Sequence, residues 1–315
     1  MSRRKYANEF GLILVCTPHK FGRQREIEMV SPDDLEGCHI YVVSQQPRLS
    51  IDSDSVVFTK SKFSATLRVQ RADKFDEYRI SRPSSPEQAG FSYRSEWPYD
   101  FMQILDDRGE LFFTAPVALF IREYKVSGLP VSLYEQEVLY VGQAFGKDGE
   151  RTAFDRLRSH STLQRIYSEL PPDKEIWLSL CRITDAALSG TMTPHLLAEI
   201  EDDEENATRT VDMLRWAEDR DFLSREGIAL TEAALIRFFQ PKYNKIFRDN
   251  FPDPQHVSTR ECYDLEINTL AMEFHGYAVT TQYWSSVVHP KWTHFEVYSL
   301  FSENDRRNMF DLWAD

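Results

Sequence analysis

The chain has 315 residues, 42% of them hydrophobic, and a formal net charge of −13 at pH 7. This length allows two domains and a small third one, and the apolar content is sufficient for ordinary buried cores. No apolar run approaches the roughly eighteen residues of a membrane span, and the run after Gly11 is too short for a signal peptide. The sequence therefore predicts a cytoplasmic protein without a membrane partner.

Charge and cysteine content narrow the function classes. The negative charge opposes binding to nucleic acid, but residues 199–221 alone hold ten acidic residues and three arginines. A local basic face elsewhere can still bind nucleic acid, so this class stays open. The four cysteines are scattered without a CxxC pair, which argues against a zinc site and against a disulfide framework.

Residues 1–112 are predicted as a separate domain rich in β-structure. Short runs of β-branched residues alternate with turn sequences such as SPDD and RPSSPEQAG. The predicted strands are residues 12–16, 39–43, 55–58 and 63–70. No catalytic spacing occurs here, so this domain is a candidate for recognition of DNA, of a partner protein or of a second copy.

Residues 113–250 are predicted as an α/β domain that contains the chemistry. The apolar run over residues 110–124 and the run EVLYVG over residues 137–142 suggest an antiparallel hairpin. Helical spacing follows over residues 152–170, and residues 174–184 read as a third strand. Thr231 is predicted as the N-cap of a helix from Glu232 to Phe239, since Gln240 and Pro241 end it.

The remaining segments are less regular. The acidic region 186–226 is predicted as an insertion that contains helical pieces. Residues 251–315 are predicted to hold a helix over residues 263–275, two aromatic strands and a short final helix. This C-terminal segment is too small to fold alone, so we expect it to dock on the core.

Several residues of the central domain form a constellation that suits hydrolysis of a phosphodiester. Tyr140 ends a strand, Arg156 and His160 lie four apart on one helix face, and Glu232 lies on a later helix. One carboxylate with waters and phosphate oxygens suffices to hold Mg²⁺. An arginine can stabilise the phosphate charge, and a tyrosine or histidine can take the proton of the attacking water.

The same residues lie in short motifs that resemble the GIY-YIG nucleases. The motifs are YVG at residues 140–142, RLRSH at residues 156–160, and TEAALIRFFQPKYN at residues 231–244. Their order and context look most like the restriction-endonuclease branch, and the resemblance covers roughly residues 113–248. It implies an α/β (α+β) fold with a three-stranded antiparallel sheet flanked by helices. It also implies DNA cleavage that depends on Mg²⁺ or Mn²⁺, with restriction or antiviral defence as the wider role.

The resemblance also implies a role for each matching residue. Glu232 would bind the metal, Arg156 the phosphate, and Asn244 would position the network beside the metal, while Tyr140 and His160 would orient or deprotonate water. The substrate-binding candidates are Gly142, Gln143, Lys147 and Arg158.

The sequence departs from the family in its first motif, where a tyrosine is expected on the first strand. The matching run, residues 115–124, contains no such motif, and Phe120 has no hydroxyl. Three substitutes remain for the general base: Tyr124, Tyr140 and His160. The alternatives to an active nuclease are a catalytically impaired protein that binds nucleic acid or a partner, and an acidic adaptor that does not retain DNA.

Overall fold

The computed structural model describes residues 5–143, 161–192, 203–218, 225–301 and residue 306. The elements follow each other in the order β1 (Asn8–Gly22), α1 (Gln24–Glu28), β2 (Cys38–Pro47), β3 (Leu49–Phe58), β4 (Lys62–Arg71), β5 (Lys74–Pro83), β6 (Ser92–Arg94), β7 (Phe101–Leu105), β8 (Leu111–Pro116), α2 (Val117–Glu123), β9 (Glu135–Gln143), α3 (Ser161–Ser168), β10 (Lys174–Met192), α4 (Asp203–Glu218), α5 (Arg225–Phe239), α6 (Val257–Asp264), β11 (Thr269–His275), β12 (Gln282–Trp284) and β13 (Thr293–Ser299). The predicted mixed α/β class is confirmed.

A seven-stranded sheet organises the molecule, with the strand order β12-β9-β2-β10-β1-β11-β13. Strand β2 lies between β9 and β10 and is antiparallel to both, and β1 pairs antiparallel with β10 and parallel with β11. Strands from all three predicted segments therefore share one sheet. Along the chain, the predicted boundary at residue 112 lies between β2 and β9, and the one at residue 250 lies between β10 and β11.

The chain between β2 and β9 forms what we call the inserted segment, residues 48–134. It contains two three-stranded sheets, β3-β4-β5 and β6-β7-β8, followed by α2. Its buried side chains form a core of their own, which includes Leu67, Met102 and Phe120 and packs against Trp177 of β10. The inserted segment thus lies on the seven-stranded sheet rather than forming part of it.

The four strands predicted in the first hundred residues are confirmed, because they lie within β1, β2, β3 and β4. The strand predicted over residues 110–124 is wrong in its second half. Strand β8 ends at Pro116 and pairs with β7 rather than with β9, and α2 follows at once. Val117, Phe120 and Ile121 are buried and lie three and four residues apart, so this apolar run also fits the periodicity of a helix.

Two helix predictions are also corrected. The helix predicted over residues 263–275 ends early, because α6 spans Val257–Asp264 and residues 269–275 form strand β11. Strand β11 is buried between β1 and β13, and apolar runs of this kind fit a helix and a buried strand equally well. Thr231 is not an N-cap: α5 begins at Arg225, and the Thr231 hydroxyl donates to the carbonyl oxygen of Gly227 at 2.8 Å.

The acidic region is partly regular. Its first residues extend β10 to Met192, and α4 occupies Asp203–Glu218, which confirms a helical piece. The side-chain oxygen of Asn206 on α4 accepts a hydrogen bond from the Ala7 amide at 3.0 Å, so α4 is tied to the start of β1. The predicted helix near the C-terminus lies outside the described residues except for Arg306, whose guanidinium donates to both carboxylate oxygens of Glu9 at 2.8 and 2.9 Å.

A buried polar network joins the inserted segment to the sheet. The Arg122 guanidinium on α2 donates to Oε1 of Gln46 at 2.7 Å, and the Gln136 amide donates to the same oxygen. The Gln46 amide in turn donates to Oε1 of Glu175 at 2.8 Å. Burial raises the pKa of Glu175 to about 7. These hydrogen bonds join buried side chains of α2, β2, β9 and β10, so the network positions α2 on the three strands.

The pKa of Glu175 leads to a prediction about stability. Because this pKa is raised in the folded state, the stabilising contribution of the group is fully present below its ordinary pKa and is lost as pH rises through about 7. Glu175→Gln keeps an acceptor for Gln46 but carries no charge. We expect its free energy of unfolding, relative to wild type, to rise by about 2 kcal/mol between pH 5 and pH 8. Urea unfolding at each pH measures this difference.

Glu110→Gln is the matched control, because Glu110 is exposed at a turn of the inserted segment. Its difference from wild type should stay constant across the same pH range. A Glu175→Gln difference that is equally flat would contradict the prediction.

Candidate active site

The pairing of β2 with β9 brings two tyrosines together. Tyr41 of β2 lies directly opposite Gly142 of β9, and Tyr140 lies two residues before that glycine on the same face. The ring centroids of Tyr41 and Tyr140 are 6.0 Å apart. Such diagonal pairs across two antiparallel strands are within reach of aromatic side chains. A tyrosine from the first fifty residues is thus a neighbour of the predicted YVG motif.

Gly142 makes room for the Tyr41 phenol. A Cβ atom at this position would lie 2.5 Å from both Cζ and Oη of Tyr41, and 2.8 Å from Cε1 of Tyr140. Real Cβ atoms do not approach other atoms so closely, so any larger residue would displace the tyrosines. The group that approaches this glycine closely is therefore the phenol of Tyr41.

Asn244 joins the segment after α5 to β9. Its side-chain oxygen accepts the Val141 amide hydrogen at 2.9 Å, and its side-chain nitrogen donates to the Val141 carbonyl oxygen at 2.8 Å. The neighbouring Tyr243 amide donates to the carbonyl oxygen of Leu139 at 3.1 Å. Strand β12 pairs only with residues 135–137 of β9. Residues 243 and 244 therefore satisfy backbone groups along the part of β9 that β12 does not reach.

Glu232 and Arg165 approach from two helices. Glu232 lies in the middle of α5 and is half-buried, while its neighbours Ala233 and Ala234 are fully buried in the core. Arg165 of α3 donates to Oε1 of Glu169 at 2.7 Å, and the Tyr243 hydroxyl donates to Oε2 of the same carboxylate at 2.7 Å. The hydrogen bonds from Arg165 and Tyr243 lower the pKa of Glu169 to about 2. The hydrogen bond from Tyr243 to Glu169 links the end of α3 to the segment that carries Asn244.

These elements enclose a cavity of about 810 Å³. The described residues that line it are Tyr41, Tyr140, Gln143, Ser161, Thr162, Arg165, Glu232, Ile236, Tyr243, Asn244, Lys245, Ile246, Phe247 and His256. Among them Glu232 is the single carboxylate, whereas Arg165 and Lys245 are cationic. Tyr41 is only 1% exposed and forms part of the floor. The described lining therefore combines two cations with one carboxylate in a protein whose net charge is −13, and one of the cations, Arg165, is ion-paired with Glu169 outside the lining.

The structure brings several predicted site residues together and leaves others apart. This cavity is lined by Tyr140, Gln143, Glu232 and Asn244. Gly142 lies against the phenol of Tyr41. Tyr124 does not line the cavity: it lies at the end of α2, where its ring stacks on Phe120 with centroids 5.6 Å apart inside the core of the inserted segment. The predicted positions that fall outside the described residues are Lys147, Arg156, Arg158 and His160.

Sequence reasoning missed Tyr41, Arg165, Lys245 and His256. A signal for Tyr41 existed. Ile40 and Tyr41, on an apolar strand, are the same two residues that end the GIY motif, which was expected in residues 115–124. His39 stands where that motif has glycine. No local pattern could have indicated His256, since it lies beyond the motifs and reaches the cavity only through the fold.

Comparisons with protein-family models, with curated proteins and with solved structures found no match to this chain. In the parts of the chain that the structure describes, no helix is long and apolar enough to cross a membrane.

The contacts of Asn244 predict a stability effect. Asn244→Ala leaves the buried Val141 amide and carbonyl groups without these partners, and an unsatisfied buried polar group costs about 1–3 kcal/mol. We expect this variant to lower the free energy of unfolding by about 2–3 kcal/mol in urea denaturation. Lys242→Ala, in the same segment but exposed, is the control and should change stability by less than about 0.5 kcal/mol. Equal effects of the two substitutions would contradict the prediction.

Proposed function

We propose that this protein is a DNA endonuclease of the GIY-YIG type that hydrolyses phosphodiester bonds with Mg²⁺ or Mn²⁺. The observation that carries the proposal is the composition of the cavity. In a strongly acidic chain, its described lining combines cationic residues with one carboxylate and two adjacent tyrosines. Phosphodiester hydrolysis can use these groups for metal binding, for stabilisation of the phosphate charge and for positioning of the attacking water.

Tyr41 supports the resemblance at its weakest point. Residues 115–124 lack the expected motif, and their Tyr124 packs on Phe120 away from the cavity, but Tyr41 lies on the strand that pairs with the YVG strand. Tyr41, Tyr140, Glu232 and Asn244 then follow each other in the order of the family's motifs, with the inserted segment between the first two. The main reason to suspect an impaired domain was the missing tyrosine, so this arrangement favours the enzyme over the binding protein.

The donor set fits a hard divalent cation. Within the described ranges, no group of three or more acidic, histidine or cysteine side chains converges on one point. Glu232 would therefore hold the ion with a single carboxylate, and water and phosphate oxygens would supply the other ligands, as is usual for Mg²⁺. When bound, such an ion neutralises charge on the phosphate and on the leaving oxygen.

The protein's own side chains have the remaining roles. The hydroxyl of Tyr41 or Tyr140 orients the attacking water, and the same group in its phenolate form would take the proton and become the neutral phenol. Arg165 and Lys245 hold the phosphate oxygens by charge-assisted hydrogen bonds. Asn244 keeps β9 and the segment after α5 in register, which is a positioning role, because both polar groups of its amide bind the Val141 backbone. A function in restriction or antiviral defence is the wider hypothesis.

Glu232 gives the first test of this proposal. We expect wild type to cleave plasmid DNA with Mg²⁺ or Mn²⁺, and Glu232→Gln to reduce the rate by about 10²-fold or more, because the single carboxylate is lost. Glu226→Gln, exposed on the same helix, should cleave as wild type does. If wild type retains DNA at low salt but cleaves neither plasmid, linear nor modified DNA, it is a binding protein. If it retains no DNA either, the acidic adaptor is favoured.

Tyr41 gives the second test. Tyr41→Phe removes only the hydroxyl and should lower the cleavage rate by about 10²-fold, with little change in melting temperature. Tyr167→Phe, on α3 but outside the described lining, is the matched control. A Tyr41→Phe variant as active as its control would assign the base to Tyr140 or to a residue outside the described ranges.

A further inference from the structure

The segment that follows α5 returns to the cavity with residues that belong to none of the sequence motifs. Lys245 and Phe247 line the cavity directly after Asn244, and His256 lines it from the start of α6. His256 is half-buried. The C-terminal segment therefore contributes an ionisable side chain to the same cavity as Glu232 and the two tyrosines.

The local structure holds the His256 ring in place. Phe247 has a φ of 69°, in the left-handed region that bulky residues rarely adopt. Its ring centroid lies 4.9 Å from that of His256, and it also contacts the ring of Phe251 with centroids 6.3 Å apart. Backbone strain of this kind persists only where the surrounding contacts determine it, and it is concentrated at functional sites.

Asn250 sets the hydrogen-bonding state of the ring. Its side-chain nitrogen lies 2.9 Å from Nε2 of His256. In this amide orientation Asn250 donates and Nε2 accepts, so the ring proton of a neutral imidazole is carried on Nδ1. His256 is then a hydrogen-bond donor at Nδ1 without needing a positive charge.

We infer that His256 is a substrate-contacting residue, which donates a hydrogen bond from its imidazole to a phosphate oxygen of the bound DNA. The inference rests on the proposed function, since it places a phosphodiester in the cavity. It adds a contact from the C-terminal segment, outside the region that resembles the nuclease family. Lys245, which lines the same cavity, supplies charge that attracts the phosphate, and Asn250 acts through His256 as a positioning residue.

The test measures DNA binding separately from cleavage. Fluorescence anisotropy of a labelled DNA duplex in EDTA reports the Kd of each variant while hydrolysis is blocked. His256→Ala should raise the Kd by about tenfold, because it removes a donor to a charged acceptor. His256→Asn should restore a large part of the affinity, since the asparagine amide places a donor close to the position of Nδ1. His289→Ala, an exposed histidine elsewhere in the chain, should bind as wild type does.

Asn250 provides an internal check. Asn250→Ala should weaken binding by a few-fold in the wild-type background and should have no further effect when combined with His256→Ala, because the two residues act as one unit. Additive effects would mean that Asn250 acts elsewhere.

The outcomes separate this inference from the proposed function. Absence of cleavage, together with DNA retention that depends on His256, would overturn the nuclease and leave the inference standing. Cleavage by wild type, together with unchanged DNA binding and cleavage rate in His256→Ala, would overturn the inference and leave the nuclease standing. Equal weakening in His256→Ala and His256→Asn with a lowered melting temperature would assign His256 a structural role and overturn the inference. Failure of wild type to retain DNA would overturn both.

Discussion

The antiparallel pairing of β2 with β9 is the constraint on which the candidate site depends. Its register places the Tyr41 phenol against Gly142, and this contact requires a residue without a side chain. A shift of one residue would turn every side chain of β9 to the opposite face of the sheet. The buried side chains of both strands prevent such a shift, and the Asn244 amide holds the adjacent segment to Val141. The packing that fixes the register of β2 and β9 therefore also fixes the positions of Tyr41 and Tyr140.

Much of the local structure could be predicted from the sequence. Strands β1 to β4 show β-branched runs between turn residues, and they fold as expected. The helix predicted over residues 152–170 is described only from residue 161, where α3 follows helical spacing, and the helix that carries Glu232 begins earlier than predicted. The failures occur where periodicity is uninformative. Residues 117–121 are an unbroken apolar run and residues 269–272 are all buried, and burial on more than one side permits helix and strand alike.

The candidate site could be predicted only in part, and for a different physical reason. Tyr140, Glu232 and Asn244 lie in compact motifs that can be recognised locally. Tyr41 depends on a pairing between strands far apart in the chain, which no local pattern reports. The resemblance led us to seek the first tyrosine immediately before the YVG strand, where α2 lies instead. His256 is a purely tertiary contribution, since its partners are Phe247 and Asn250 rather than any motif residue.

The inserted segment leaves the seven-stranded sheet and returns to it at neighbouring positions. The chain leaves β2 at Pro47 and returns to β9 at Glu135, and Gln45 pairs with Glu137 near these two ends. The amide of Gln45 also donates to the Glu137 carboxylate at 2.7 Å. Seen from the sheet, residues 48–134 are the loop of a β-hairpin. The entropy of closing a loop grows only with the logarithm of its length, by about 0.6 kcal/mol for each doubling. The same two paired strands could thus carry a short turn or a whole subdomain for an entropic difference of only about 3 kcal/mol.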